Sequence, residues 1–299
     1  MARAIDMAYS PADARTSRSP QPSDPSVDPG DPAIDVRVGC EFQFKSFAEA
    51  PSVFQVQPHP AASISLHREA WTTSPTLVGR EYLDSFQNRC RRMEIPQGSL
   101  MVRYEAAVAV PAVPDAARPD ATQTPVDALP SGCLQFTLPS RYCLSDVLSG
   151  AAWDLFDDIQ PGWAQVQAVC DWVHTHVAYT LGSSTPLTDA TDVYMSRQGV
   201  CRDFAHLAIS FCRALNYPAR YAYGYLPLVD GSLPKEGMDF AAWMEVFVGG
   251  DWYTFDPRNN ARRTGRVLIG RGRDALDVAM VTSAGAPWLA SMRVWAEAV

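Results

Sequence analysis

Lysine is almost missing from this chain of 299 residues: Lys45 and Lys235 are the only two, so arginine carries the basic side, and the formal charge is −8. A balance of that sign argues against a nucleic-acid or anionic-membrane partner. Long apolar runs are lacking as well, and none approaches the ~18 residues a membrane span needs. The opening "MARAIDMAYSPADART" has no apolar stretch behind its basic residue, so a cytoplasmic protein without a secretory leader is expected. The seven cysteines (Cys40, Cys90, Cys133, Cys143, Cys170, Cys201, Cys212) contain no CxxC pair and are odd in number. That pattern favours neither a structural zinc site nor a disulfide framework. The "GRGRD" segment lacks the strand-to-helix context of a dinucleotide fingerprint, and no metal or organic cofactor is expected.

What is present divides the chain. Residues 1–33 are rich in Pro, Ser, Asp and Ala with little to bury, the composition of a disordered arm. In "IDVRVGCEFQFKSF", Val36, Val38, Cys40, Phe42 and Phe44 alternate with polar residues, the period of a strand with one wet face. "SLMVRYEAAVAV" repeats the pattern, and short strands are expected around Val53–Val56 and Ile64–Leu66. Residues 34–111 therefore read as an antiparallel β domain, in which His59 and His67 have no ligand-like spacing. The Pro- and Ala-rich tract 112–131 reads as a linker, and 132–299 as the core.

The core opens with helices. Val166, Val169, Cys170, Val173 and Val177 mark an amphipathic helix with His174 and His176 at its margins. A short helix in "LTDATDVYMSRQG" is expected to begin at Thr188 or Thr191 and end at Gly199. A third runs from Cys201 to Asn216, with Phe204, Leu207, Ala208, Phe211 and Leu215 as its stripe. Strands follow in "ARYAYGYL", in "AWMEVFV" turning through "GGD" into "WYTFDPR", and in "RVLIGRGRDALDVAMVT" and "SMRVWAEAV". Helices followed by an antiparallel sheet define an α+β fold.

Cys201 differs from the other thiols by position. A cysteine in the first turn of a helix faces unpaired N–H groups and the positive dipole end, which favour thiolate. Acyl transfer by a thiolate normally uses a histidine oriented by a carboxylate, and Asp256, closing "WYTFDP", is a candidate for the latter.

The succession "GVCRDFAH", "ARYAYGYL", "MDFAAWMEVFVGGDWYTFDPRNN" and "GRVLIGRGRDALDVA" resembles the bacterial transglutaminase-like family from about residue 34 to the end. The resemblance implies a papain-like core, a Cys-bearing helix packed on an antiparallel sheet, preceded by an N-terminal antiparallel β domain. It implies Cys201 as nucleophile and Asp256 as third triad member, acting on a peptide or protein substrate. Where the family carries its histidine, before an Ala-Trp pair, this sequence has Ala241. His206 lies about 140° around the helix from Cys201 and points elsewhere, leaving His174 or His176 as replacements. Two functions follow: a cysteine acyl-transferase or peptidase attacking amide bonds, or a catalytically impaired member that binds a peptide or protein. An arylamine-acyltransferase-like enzyme is a third, without a visible acyl-CoA motif.

Overall fold

The computed structural model describes residues 32–60, 64–229 and 238–299. The expected arm lies outside the described residues save for its last two positions, where Ala33 already opens a strand. In chain order the elements are β1 (Ala33–Ser46), β2 (Ala50–Phe54), β3 (Ser65–Ser74), β4 (Arg80–Leu83), β5 (Arg89–Ile95), β6 (Gly98–Pro111), α1 (Ser131–Leu134), α2 (Ser149–Phe156) and α3 (Trp163–His176). They continue with β7 (Ala178–Tyr179), α4 (Ala190–Ser196), β8 (Gln198–Gly199), α5 (Cys201–Ala214), β9 (Ala219–Tyr225), β10 (Ala241–Val248), β11 (Asp251–Phe255), β12 (Val267–Gly272), β13 (Val281–Ser283) and β14 (Trp288–Ala298).

The alternation in β1 does what its period dictates: Val36, Val38, Cys40, Phe42 and Phe44 are buried on one face. One sheet has the order β14-β1-β6-β3 and a second β13-β2-β5-β4. Phe54 of the second meets Phe42 and Phe44 of the first at 6.2 and 6.0 Å between ring centres. The strand expected around Val53 is β2, and that expected at Ile64–Leu66 is the start of the longer β3. β3 is an edge strand exposed at most positions, so hydrophobic patterning marks it poorly.

Two boundaries differ from expectation. β14 pairs with β1 from Val36↔Ala298 to Lys45↔Trp288, and β13 pairs with β2. The last strands of the chain therefore complete the N-terminal sheets rather than the core, burying Val294 and Ala296 there. Residues 112–131 do not hang free either. Pro114 bridges to Thr264, Ala121 is buried, Gln123 Nε2 donates to the Leu215 carbonyl (2.8 Å), and Asp115 is tied to Arg266. Fixed anchors at several points make the tract a strap on the core.

The core sheet is antiparallel with the order β11-β10-β9-β12. The β10–β11 hairpin turns through Gly249 (φ 63°) and Gly250 (φ 96°), the left-handed pair that a two-residue hairpin demands. α5 packs on β9 and β10, with α2, α3 and α4 against its outer side. Its whole expected stripe is buried, and it ends at Ala214. Along β9 the same face first meets α5, where Tyr221 contacts His206. It then meets the N-terminal sheets, where the hydroxyls of Tyr223 and Tyr225 donate to the carbonyls of Gln55 and Val56. Every residue of β9 and β10 is buried, Arg220 and Glu245 included.

Candidate active site

The start of α5 is built by three neighbouring segments. α4 is capped by Asp189, whose carboxylate accepts from Thr191 N (2.9 Å) and Asp192 N (3.2 Å), and not by Thr188 or Thr191 as expected. It ends at Arg197 in the left-handed region (φ 58°), and Gly199 lies beyond it in β8. β8 runs parallel to β7 with Tyr179 opposite Gly199, and this pairing delivers Val200 as the extended residue before α5. Asp203 then reaches back to accept the Val200 N–H (2.8 Å), satisfying an orphan donor as a capping carboxylate should. A side chain at Gly199 would place its Cβ 2.8 Å from the Asp203 Cβ, so glycine is what allows the cap to close. Arg202 pairs with the buried Asp203 (3.2 Å) and is itself held by Ser184 Oγ (2.6 Å) and the Thr185 carbonyl (2.9 Å).

Cys201 is the half-buried thiol in this frame, while the other six are buried. Its Sγ lies 3.8 Å from the Phe240 carbonyl, and main-chain hydrogen bonding from Ala242 and Arg202 favours its charged form. The net electrostatic result differs from the expectation of a lowered thiol. Burial raises Cys201 above the ordinary thiol range, against the opposing pull of the Arg258 guanidinium, and the Asp239 carboxylate adds to the rise. Asp239 is open to solvent on one side and accepts the Phe240 N–H (2.7 Å). The protein packed around its carboxyl raises that group too.

The hydrogen bonds of the histidines lead elsewhere than to this thiol. His174 Nδ1 is 2.8 Å from the Arg258 carbonyl, and His176 stacks on Trp172 with Nδ1 2.8 Å from that residue's carbonyl. His206 is fully buried, stacks on Tyr142, and accepts the Ala275 N–H at Nε2 (3.1 Å). His67 faces Asp35 at 3.3 Å, and His59 is buried where the N-terminal sheets meet the core, its main-chain N–H donating to the Leu268 carbonyl. Among the described residues no imidazole is hydrogen-bonded to Cys201, and no group of three His, Cys, Asp or Glu side chains is placed to hold a metal ion.

Asp256 is buried at the end of β11, and both its oxygens are taken. Asn259 donates to it through its main-chain N–H (3.0 Å) and Nδ2 (2.9 Å), and Arg266 Nη2 donates at 2.9 Å. Arg266 also grips Asp115 (2.9 Å) and lies over the Trp243 ring at 4.8 Å. Ala241 shares its strand face with Trp243, two residues along β10. The guanidinium of Arg266 and the Asn259 side chain thus occupy the carboxylate that the resemblance to the family makes the third triad member. The sequence reading missed Arg266 and Arg258, although the quoted "GRVLIGRGRDALDVA" contains the first and "WYTFDPRNN" the second. The Arg258 guanidinium carbon lies over Tyr179, 3.8 Å from the ring centre, and Tyr179 packs against Phe204 in the first turn of α5.

An α5-type helix start carrying a thiol, packed on an antiparallel sheet whose next hairpin ends in Asp256, defines a papain-like, transglutaminase-type core. The profile of the transglutaminase-like superfamily matches residues 154–257. A crystal structure of a candidate cysteine protease from Cytophaga hutchinsonii is 30% identical, covering 90% of this chain and 91% of that one with a TM-score of 0.81. The chain belongs to the transglutaminase-like superfamily. An uncharacterized protein of Mycobacterium leprae is 36% identical over 118 residues, 38% of this chain and 42% of that protein. One from Mycobacterium tuberculosis is 37% identical over 116 residues, 36% of this chain and 37% of its own length. The match thus spans about two fifths of these curated relatives.

Proposed function

We propose that this chain binds a peptide or amide segment in the Cys201 cleft without turning it over. The observation that carries the reading is that Arg266 occupies the Asp256 carboxylate, in a sequence whose resemblance to the family puts Ala241 where a histidine is expected. Without an imidazole nothing takes the thiol proton or returns one to a leaving amine, and positioned acid-base groups usually supply on the order of 10²- to 10⁴-fold in rate. The Cytophaga relative is described as a candidate cysteine protease, and the second reading keeps that chemistry: a cysteine acyl-transferase or peptidase with Cys201 as nucleophile and Asp256 retained. The main-chain hydrogen bonding that Arg202 and Ala242 offer the thiol favours it, since such N–H groups suit an oxyanion. The net charge of −8 supports a peptide or protein ligand over a nucleic acid or an anionic membrane surface, and among the described residues no helix is long and apolar enough to cross a membrane.

The test pairs binding with turnover. The full chain and its Cys201→Ser variant are titrated with a fluorescent peptide library and assayed for amide cleavage and amine incorporation on the peptides that bind. Equal binding by both proteins, with product formation no faster than in buffer, is expected. Product that forms with the wild-type chain and vanishes in Cys201→Ser would establish the enzyme reading instead.

A further inference from the structure

We propose that Arg258, laid on Tyr179 beside the Cys201 thiol, anchors a carboxylate of the bound peptide. Four observations converge on it. Its main chain is fixed, since the Arg258 carbonyl meets His174 Nδ1 at 2.8 Å and the Asp256 carbonyl accepts the Asn260 N–H at 2.7 Å across the same turn. Its side chain is fixed, because the guanidinium lies 3.8 Å from the centre of the Tyr179 ring. That ring is in turn set by the β7–β8 pairing opposite Gly199, two residues before Cys201, and by Phe204 at 6.4 Å. And among the described residues no ion pair within 4 Å engages the Arg258 guanidinium, although Asp239 feels its charge, whereas the neighbouring Arg202 is spent on Asp203, Ser184 and Thr185.

Stacking uses the face of a guanidinium and leaves its edge N–H donors, which match the two oxygens of a carboxylate. A fork already immobilised loses little freedom when it binds. The influence of Arg258 on the thiol agrees with this placement, for it is the largest charge acting on Cys201. In a chain with a formal charge of −8, a poised cation in the cleft is also the local feature that admits an acidic ligand. The proposal rests on the reading that the cleft receives a peptide.

Iodoacetate and iodoacetamide test it without requiring turnover. In either reaction the Cys201 thiolate displaces iodide and forms an S–CH₂ bond, and the reagents differ in carboxylate against neutral amide. The ratio of the two rates cancels the thiolate fraction, and peptide mass spectrometry locates the label on Cys201. The expected ratio for the full chain exceeds that of glutathione by roughly fivefold, the value of one partly exposed ion pair. It falls to the glutathione ratio in Arg258→Gln and is partly kept in Arg258→Lys. A ratio no higher than that of glutathione, or one that Arg258→Gln leaves unchanged, overturns the proposal, as does failure of both reagents to reach Cys201. A ratio at the glutathione value would leave peptide binding itself standing, with an uncharged ligand, whereas a thiol that neither reagent reaches would count against that reading as well. Protection of Cys201 by a Glu-containing amidated peptide, compared with a Gln-containing peptide bearing a free C-terminus, separates side-chain from terminal carboxylates as the source.

Discussion

His59 offers a measurable link between pH and the docking of the N-terminal sheets on the core. The ring is 7% exposed, and burial, with the Arg271 guanidinium adding to it, lowers it from 6.5 to about 4. Glu245 and the Phe86 main chain pull the other way, and Arg220 adds to the lowering. The unfolded chain takes up a proton near pH 6.5 while the folded chain does not, so stability rises with pH through this window. The contribution is complete above about 6.5, is lost as pH falls towards 4, and levels off below that. At about 1.4 kcal/mol per pH unit the full loss is about 3 kcal/mol. Urea unfolding followed by tryptophan fluorescence at several values between pH 7 and 4.5 should show it, compared with His59→Gln, whose side chain does not titrate. The wild-type curve should fall more steeply than that of the variant, and their difference should narrow steadily towards acid. Parallel curves across this range would refute the reasoning, because Glu245, held at about 2, gives up its own contribution only below about pH 4.5.

Other outcomes follow from the same contacts. Glu245 is buried between Arg220 (2.6 Å) and Arg271 (2.7 Å), so Glu245→Gln should cost about 3–5 kcal/mol by chemical denaturation. Burial alone would raise that carboxyl, and the two guanidiniums outweigh it, so the network's stability persists above pH 4.5 and is lost between 4.5 and 2. Gly199→Ala should disturb the Asp203 cap and cost about 1 kcal/mol or more, read as a lower Tm. Ala241→His should not create Cys201-dependent amidase activity, since Arg266 and Asn259 already hold Asp256. A gain of about 10²-fold would show instead that the guanidinium yields to an imidazole.

Much of the fold was legible because its signals are local. The alternation from Val36 to Phe44, the helical stripe from Phe204 to Leu215 and the Gly249-Gly250 turn each announce their element within a few residues. What was hidden is non-local. Nothing in "SMRVWAEAV" says that it will pair with β1, some 250 residues earlier in the chain. Nor does the Pro- and Ala-rich composition of residues 112–131 disclose that Asp115 will meet Arg266. The site divided in the same way. Cys201 at a helix start and Asp256 at a strand end could be located, as could the alanine at position 241. The direction of the thiol shift could not, because the helix-start argument counts the dipole and omits the burial that outweighs it. Arg258 and Tyr179 are 79 residues apart in sequence and meet only once β7 and β8 have paired.

The central claim, that Cys201 is an unactivated thiol in a rewired triad, is tested most directly by its alkylation rate with iodoacetamide as a function of pH, followed by mass spectrometry at that residue. The account predicts a midpoint above the ~8.5 of an ordinary thiol. A midpoint well below that value would contradict it and return Cys201 to the role of a poised nucleophile.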